Sequence, residues 1–173
     1  MSIRTVGHGA LDPTAFTEVL SGAGVELVVD VRRYPGSRRQ PHVGAETMAG
    51  WLGEADIGHR WLEALGGRRR RHPHSPNVAL TNDQFRAYAD HMATDEFAAG
   101  IAELRQLSEH RAVAVMCSES VWWRCHRRLI ADHLVLVEGD EVEHLFHDGR
   151  IAPHPPMAAA RVLDRHLVYD VEP

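Results

Sequence analysis

Both cysteines of the chain lie in one short segment, "VMCSESVWWRCHRRL", where thiols stand among basic and aromatic residues. Cys117 follows an apolar run and precedes a predicted helix, and the N-terminus of a helix favours a thiolate. Nearby arginines would lower the pKa of that thiol further, whereas Glu119 would oppose its ionisation at close range. Six residues separate Cys117 from Arg124, one more than in the Cys-x5-Arg loop of tyrosine phosphatases, so that motif is not assigned. The segment predicts a nucleophilic thiol at Cys117.

Cys125 and His126 have a different predicted environment. In a continuous helix residues advance about 100° per position, so these two side chains would face the sheet while Arg127 and Asp132 face outward. Cys125 would then pack as a small hydrophobic residue, and His126 would hydrogen-bond to a neighbour at the strand ends. No zinc site is predicted, because adjacent helical side chains diverge and no Cys-x2-Cys pair is present. No other cofactor is predicted.

Polar or reactive side chains follow three buried apolar runs that are far apart in the sequence. His8 follows the first run, Asp30 and Arg32 end the second, and Cys117 and Glu119 follow the third. Each residue alone has an ordinary explanation as a surface or core residue. If the three runs are parallel strands, however, their carboxyl ends meet at one edge of the sheet, where such folds bind ligands. The sequence therefore predicts a site at this edge.

Arginine supplies all 19 basic side chains other than histidine, and the residues cluster in three places. The segment "DVRRYPGSRRQPH" carries Arg32, Arg33, Arg38 and Arg39. Guanidinium groups bind phosphate or carboxylate at two points, so this loop is a candidate anion receptor. The alternative is a solvated loop with one arginine paired to Asp30. Likewise, the run Arg68–Arg71 is either a solvated stretch or, with Trp61 nearby, a contact to a nucleic-acid backbone.

The elements that must position these residues alternate between strand and helix. Apolar runs at "SIRTVG", "VELVVD", "RAVAVMC" and "EVEHLF" predict strands, and Asp12 followed by Pro13 predicts the first helix start. Thr81 and Asp95 are the predicted caps of two successive helices. This pattern predicts a single α/β domain over 1–173, with an open, mainly parallel, Rossmann-like sheet and helices on both faces. Residues 68–80 are predicted as an exposed loop, and residues 157–165 as a short helix.

Composition restricts the class of protein. The chain has 173 residues, 44% of them hydrophobic and 25% charged, with a formal net charge of −5. Such values are typical of a globular domain and argue against a generally basic surface that coats nucleic acid. No apolar run is long enough to cross a bilayer and no signal peptide is recognised, so a cytoplasmic location is expected. Two cysteines in that compartment are expected to be free thiols, metal ligands or core residues.

Four motifs together resemble one family. The motifs are "TVGHG", "VVDVRRYPGSRRQPH", "LEALGG" and "MCSESVWWRCHRRLIADHL". In order and spacing they are similar to the bacterial and archaeal family catalogued as domain of unknown function 488, over residues 3–148, which leaves 149–173 as an extension. The resemblance implies a compact α/β core and no established reaction. Its motif positions correspond here to Gly7-His8, Asp30 to Arg32, Ser37-Arg38, Pro41-His42, Leu65 to Gly67, Cys117 with Glu119, and Cys125 to Arg127.

These observations favour an enzyme acting on a phosphorylated or nucleic-acid-related substrate. The candidate catalytic residues are His8, Asp30, Cys117, Glu119 and His126. The candidate anion-binding residues are Arg32, Ser37, Arg38, His42 and Arg127. One alternative is a non-catalytic module that binds nucleotide or nucleic acid through the same arginines, and another is a thiol redox or sulfur-carrier protein. The expected partner is an anionic substrate rather than a membrane, and the oligomeric state stays open.

Overall fold

Helices and strands alternate along most of the chain, as the apolar pattern predicts. The computed structural model describes residues 2–38 and 40–171, and Arg39 lies outside these described residues. The strands are β1 (Ser2–Gly7), β2 (Leu27–Asp30), β3 (Gly58–Trp61), β4 (Val113–Cys117), β5 (Glu141–Leu145), β6 (Ile151–Pro153), β7 (Ala160–Leu163) and β8 (His166–Tyr169). The α-helices are α1 (Pro13–Gly22), α2 (Ala45–Gly53), α3 (Asp83–His91), α4 (Asp95–Ser108) and α5 (Arg127–Leu136). Short 3-10 turns lie at Pro41–Val43, Glu63–Leu65 and Trp122–Arg124.

The main sheet has six strands in the order β3-β2-β4-β1-β5-β6. Its first four pairings are parallel, and β6 runs antiparallel to β5. Strands β7 and β8 form a separate antiparallel hairpin. The structure thus confirms the predicted open, mainly parallel α/β sheet.

Successive residues of the central strands point to opposite faces of the sheet and feed two cores. Along β4, Val115 and Cys117 pack in the core beneath α3, α4 and α5, and Ala114 and Met116 pack in the core beneath α1 and α2. Because both faces are covered, the strands are apolar at almost every position. This explains the near-continuous valine runs of the sequence.

Strands β1 and β4 are neighbours, and the chain continues from each of them to a different face of the sheet. After β1 the chain enters α1 on one face of the sheet, and after β4 it enters α5 on the other face. Adjacent strands that diverge in this way open a crevice at their carboxyl ends. The predicted site residues follow these two strands and the neighbouring β2.

The helix starts agree with the sequence in one case and shift by one residue in two. The Asp12 side chain accepts a hydrogen bond from the Ala15 N–H and caps α1, as predicted. The caps of α3 and α4 are Asn82 and Thr94 rather than Thr81 and Asp95. In both helices a neighbour of the predicted cap accepts from the free N–H groups. The neighbour is one residue later in α3 and one residue earlier in α4.

Two segments differ from their predicted structure. The segment predicted as one helix from residue 121 forms a 3-10 turn first, and α5 begins only at Arg127. The predicted helix over 157–165 is wrong, because this region forms β7 and a turn in which Asp164 and Arg165 have φ angles of 47° and 66°. Positive φ at two consecutive residues favours a tight hairpin and is incompatible with a helix.

The C-terminal segment changes the environment of α5. The side chains of Arg127 and Asp132, predicted to face outward, are 1% and 0% exposed. Asp132 accepts hydrogen bonds from His154 and Tyr169, which lie in the segment that covers the helix. Residues 68–80 contain no helix or strand and are mostly exposed, as predicted. None of the helices within the described residues is long and apolar enough to span a membrane.

Candidate functional site

The loops that leave β1, β2 and β4 are joined by backbone hydrogen bonds at the carboxyl edge of the sheet. The His8 N–H donates to the Cys117 carbonyl at 3.0 Å, and the Val31 N–H donates to the Met116 carbonyl at 2.9 Å. The Gly9 N–H donates to the Ser118 carbonyl at 3.0 Å. The three strand ends named by the sequence therefore meet at one edge.

A pocket of about 870 Å³ opens at this edge. Six of the ten predicted site residues line it: His8, Arg32, Ser37, Cys117, Glu119 and His126. Four do not: Asp30, Arg38, His42 and Arg127. Of these four, Asp30 and Arg127 are buried behind the lining, Arg38 is exposed, and the His42 ring contacts the Leu11 carbonyl at 3.3 Å. A pocket of this volume has room for a ligand of nucleotide size.

Asp30 and Arg32 form a buried ion pair on one side of the pocket. Arg32 donates from Nε and Nη2 to the two Asp30 carboxylate oxygens at 2.8 and 2.5 Å, and from Nη1 to the Val43 carbonyl. Burial raises the pKa of Asp30, but the hydrogen bonds from Arg32 and the nearby His59 ring, whose Nε2 lies 3.5 Å from a carboxylate oxygen, lower it below its ordinary value. The Asp30 carboxylate therefore neutralises the charge of Arg32.

His8 lies next to this ion pair as a neutral ring. Its Nδ1–H donates to the Gly9 carbonyl at 2.9 Å, which leaves Nε2 facing Arg32 Nη1 at 3.4 Å. Burial, together with the charge of Arg32, lowers the pKa of His8 to about 4. At neutral pH its Nε2 therefore offers a lone pair on the pocket wall.

Two thiols and one imidazole form the floor of the pocket, and we call Cys117, Cys125 and His126 the thiol cluster. The His126 Nε2–H donates to the Val31 carbonyl at 3.1 Å, and because a carbonyl can only accept, Nδ1 is the nitrogen that carries the lone pair when the ring is neutral. That Nδ1 lies 3.6 Å from Cys125 Sγ and 4.0 Å from Cys117 Sγ. One imidazole lone pair thus faces both sulfur atoms.

Arg127 gives Cys125 a fixed positive neighbour. Its Nε–H donates to Cys125 Sγ at 3.4 Å, and its Nη2 donates to the Glu119 carbonyl. Burial raises the pKa of Cys125, but the neighbouring Cys117 thiol and the charge of Arg127 outweigh burial and lower it. The neighbouring Cys125 and burial raise the pKa of Cys117. The surroundings of the pair therefore favour ionisation at Cys125 over ionisation at Cys117.

The sequence predicts the nucleophile at Cys117 and packs Cys125 as a small hydrophobic residue. Cys125 does lie in the apolar core, 4% exposed, but it also lines the pocket, because α5 starts only at Arg127. The backbone N–H groups of Arg128 and Leu129 donate to the Cys125 and His126 carbonyls, and the side chain of Arg127, the first residue of the helix, donates to Cys125 Sγ. The start of α5 thus places a positive charge beside the Cys125 sulfur.

The walls of the pocket carry arginines whose charge is not neutralised. Among the described residues, Arg33, Arg68 and Arg124 line the pocket and have no carboxylate within ion-pair distance. Arg69 also lines the pocket but pairs with Glu96 at 2.9 Å. The run Arg68–Arg71 is therefore divided between paired and unpaired arginines, and the unpaired ones are available to an anion.

The sequence pattern of one family, described as domain of unknown function DUF488, matches residues 12–134. The chain is a member of the DUF488 family. The matched residues lie within the range 3–148 over which the resemblance was seen. Neither the curated proteins nor the solved structures contain a match to the chain.

The glycine motifs of this DUF488 chain bring backbone close to the thiol cluster. A Cβ atom at Gly7 would lie 1.9 Å from the Glu119 carbonyl oxygen, and one at Gly67 would lie 2.9 Å from His126 Nδ1. A Cβ atom at Gly66 would lie 2.9 Å from the Arg33 Cα. These motifs thus let three segments pack against one another around the cluster.

Several residues that line the pocket of this DUF488 protein belong to no recognisable sequence motif. Helix α3 presents Gln84, Phe85 and Tyr88 to the pocket, and the loop after β2 presents Tyr34. The Tyr88 ring lies 4.9 Å from the His126 ring, and its hydroxyl donates to the Leu65 carbonyl at 2.7 Å. The spacing of the α3 residues places them on one helix face, but the sequence does not say that this face meets the strand ends.

Proposed function

We propose that this protein is an enzyme in which the Cys125 thiolate attacks an anionic substrate bound in the pocket. The observation that carries the proposal is the buried charge of Arg127. Its side chain is 1% exposed, and no carboxylate among the described residues lies within 4.0 Å of it. A buried cation is costly unless an anion is close by, and the Cys125 sulfur contacts it at 3.4 Å. A thiolate at Cys125 balances this charge.

The neighbouring groups can handle the protons of a two-step reaction. In the first step the Cys125 sulfur forms a bond to an electrophilic carbon or phosphorus, and the leaving group departs with the proton of the Cys117 thiol. In the second step water attacks that atom and the sulfur–substrate bond breaks. His126 Nδ1 accepts a proton from this water, and the proton then returns to Cys117. A hydrolase of this kind ends with Cys125 again a thiolate.

The pocket walls favour a phosphorylated substrate. The unpaired guanidinium groups of Arg33, Arg68 and Arg124 supply several donors above the thiol cluster. Arg32 also lines the pocket, although Asp30 already neutralises its charge. His8 and Glu119 lie on the same wall and are available to orient the substrate.

Selective alkylation tests the proposal. The metal-free protein is treated with iodoacetamide at pH 7, and modification of each cysteine is followed by mass spectrometry. We expect Cys125 to react first, Cys125→Ser to abolish the fast reaction and Cys117→Ser to retain it. Pyrophosphate and adenosine monophosphate should slow the reaction, since both place phosphate among the arginines. A folded protein in which Cys125 stays inert, or in which only Cys117 reacts, would contradict the proposal.

A second candidate is a non-catalytic module that binds single-stranded nucleic acid. Two aromatic side chains near the arginines are well exposed, Tyr34 at 65% and Trp123 at 48%. Exposed aromatic rings beside arginines bind bases by stacking while the arginines contact phosphates. Binding of a labelled oligonucleotide across a series of salt concentrations separates the candidates. A steep loss of affinity with salt, together with inert thiols, would favour the binding module over the enzyme.

A further inference from the structure

We infer that Cys117, Cys125 and His126 form a binding site for one thiophilic divalent cation, with Zn²⁺ as the reference ion. The ligand atoms of the three residues all lie within 4.8 Å of one another. Two sulfur atoms and one imidazole nitrogen form a donor set that binds zinc in proteins. The inference goes beyond the proposed function, because a cation can bind whether or not Cys125 reacts with a substrate.

The two nitrogen–sulfur separations are close to those around a tetrahedral cation, and the two sulfur atoms lie within 4.8 Å of each other. Zinc bonds of about 2.3 Å to sulfur and about 2.0 Å to nitrogen, at tetrahedral angles, place the sulfur and nitrogen about 3.6 Å apart. His126 Nδ1 lies 3.6 Å from Cys125 Sγ and 4.0 Å from Cys117 Sγ. The first separation needs no adjustment, and the second needs a shift of a few tenths of an ångström.

The surrounding hydrogen bonds orient two of the three ligands. His126 donates its Nε2–H to the Val31 carbonyl, so the nitrogen facing the sulfur atoms has its lone pair free for a metal. Arg127 donates to Cys125 Sγ, as a second-sphere donor does to a metal-bound thiolate. A cation would therefore meet ligands already held in position.

The backbone conformation explains how two adjacent residues serve one cation. Cys125 is extended, with φ −121° and ψ 150°, and His126 has φ −60° and ψ −15° just before α5. This change of conformation brings Cys125 Sγ and His126 Nδ1 together, whereas a continuous helix would separate their side chains by about 100°. The sequence excludes zinc only if one helix runs through Cys125 and His126, whereas α5 starts after them, at Arg127.

The fourth coordination position faces the pocket. All three residues of the thiol cluster line it, so water or a ligand can complete the tetrahedron. A cation bound here withdraws electron density from the Cys125 sulfur that would attack a substrate. Metal binding should therefore slow the reaction at Cys125, and removal of the metal should restore it.

Cobalt spectroscopy on the full chain tests the site. Chelator-treated protein is titrated with Co²⁺, which gives strong visible bands when tetrahedral and a thiolate-to-metal charge-transfer band when sulfur binds. We expect both bands to saturate at one equivalent and to vanish when Zn²⁺ is added. Cys117→Ser and Cys125→Ser should each weaken the charge-transfer band. His126→Gln removes the nitrogen ligand and should alter the visible bands. Its matched control is His74→Gln, which alters a histidine of the exposed loop and should leave the spectrum unchanged.

Each outcome decides between the two proposals. Wild-type protein that gives no charge-transfer band, while its Cys125 is alkylated rapidly, overturns the cation site and leaves the proposed enzyme standing. A one-equivalent cobalt complex with sulfur ligands, in a protein whose metal-free Cys125 is inert, supports the cation site and overturns the thiol enzyme. Because the wild-type spectrum reports sulfur ligands directly, a variant that fails to fold does not prevent the test.

Discussion

At the scale of single residues, the pairing of Arg127 with Cys125 accounts for the charge balance of the site. Asp30 neutralises Arg32 nearby, but no described carboxylate does the same for Arg127. The same side chain also donates to the Glu119 carbonyl, so it joins the loop after β4 to the start of α5. The buried Arg127 guanidinium thus places a positive charge beside Cys125 and also holds the loop after β4 against the start of α5.

Replacing Arg127 with methionine should slow the alkylation of Cys125 at pH 7, by roughly tenfold for each unit by which the pKa of Cys125 rises above 7. The physical reason is that the thiolate loses its positive neighbour and takes up a proton. Iodoacetamide kinetics measure the effect, with thermal melting to show that the variant is folded. Arg128→Met is the control, since the described contacts of the Arg128 side chain include no hydrogen bond to the cluster and its backbone bond to the Cys125 carbonyl is kept, so its rate should match the wild type. A folded Arg127→Met protein with an unchanged rate would argue against the thiolate.

At the scale of secondary-structure elements, close approach of loops builds the pocket floor. The carboxyl end of β1 passes so near the loop after β4 that Gly7 has no room for a side chain. The 3-10 turn at Trp122–Arg124 then carries the chain to Cys125, and Trp122 stacks on His144 with ring centroids 3.9 Å apart. The position of Cys125 thus depends on a glycine and on an aromatic contact.

Gly7→Ala should destabilise the fold by at least about 3 kcal/mol, because its Cβ would overlap a backbone oxygen that cannot move alone. Gly22→Ala is the matched control, since a Cβ atom there meets nothing within 4 Å at the end of α1. The control should keep or raise the melting temperature. Equal melting temperatures for the two variants would contradict the close approach.

Trp122→Ala should lower the free energy of unfolding by about 2 kcal/mol and should also slow the alkylation of Cys125. The stacking on His144 holds the turn that leads to Cys125, so its loss releases that segment. Trp123→Ala provides the control, because the Trp123 side chain is 48% exposed, and should cost less than about 1 kcal/mol. Denaturant titration and alkylation rates measure both effects, and similar values for the two variants would show that the stacking does not matter.

At the scale of the whole molecule, buried histidines bind the C-terminal segment and the sheet together. A hydrogen-bonded chain runs from Thr5 through His144 and His154 to Asp132 of α5. Burial lowers the pKa of His144 to about 3, and it lowers the pKa of His8 and of His133 to about 4. The folded protein therefore keeps these rings neutral under conditions in which free histidine is protonated.

The protein should lose stability as the pH falls from about 6.5 to about 4. Because the folded-state pKa values lie below the unfolded value of 6.5, the unfolded chain binds more protons in this range, and stability is fully present only above it. Each of the three histidines contributes on the order of 1 to 2 kcal/mol to the loss by pH 5. Denaturant titrations at several pH values measure the slope.

His133→Leu should make that slope shallower, whereas the control His110→Leu should leave it unchanged. The His133 ring packs against Phe97 and its Nδ1 has no hydrogen-bond partner among the described residues, while His110 is exposed. A stability that stays constant between pH 7 and pH 5 in the wild type would contradict the neutral, buried state of these rings.

The sequence by itself determined the order of the elements and the convergence at the strand ends. Valine-rich runs and the Asp12-Pro13 helix start are local patterns, and local patterns predict local structure. Since parallel neighbouring strands end at one edge, the sequence also predicts that His8, Cys117 and Glu119 lie close together. The position of the pocket was predictable for this reason.

Only the tertiary structure decided what each side chain does at that edge. It bound Asp30 to Arg32, started α5 at Arg127 so that Cys125 entered the pocket, and added a face of α3 that carried no motif. These outcomes depend on contacts between segments many residues apart and on whether a short stretch forms a 3-10 turn or continues a helix. The local free-energy difference between a 3-10 turn and a continued helix is small, so packing between distant segments decides which of the two forms.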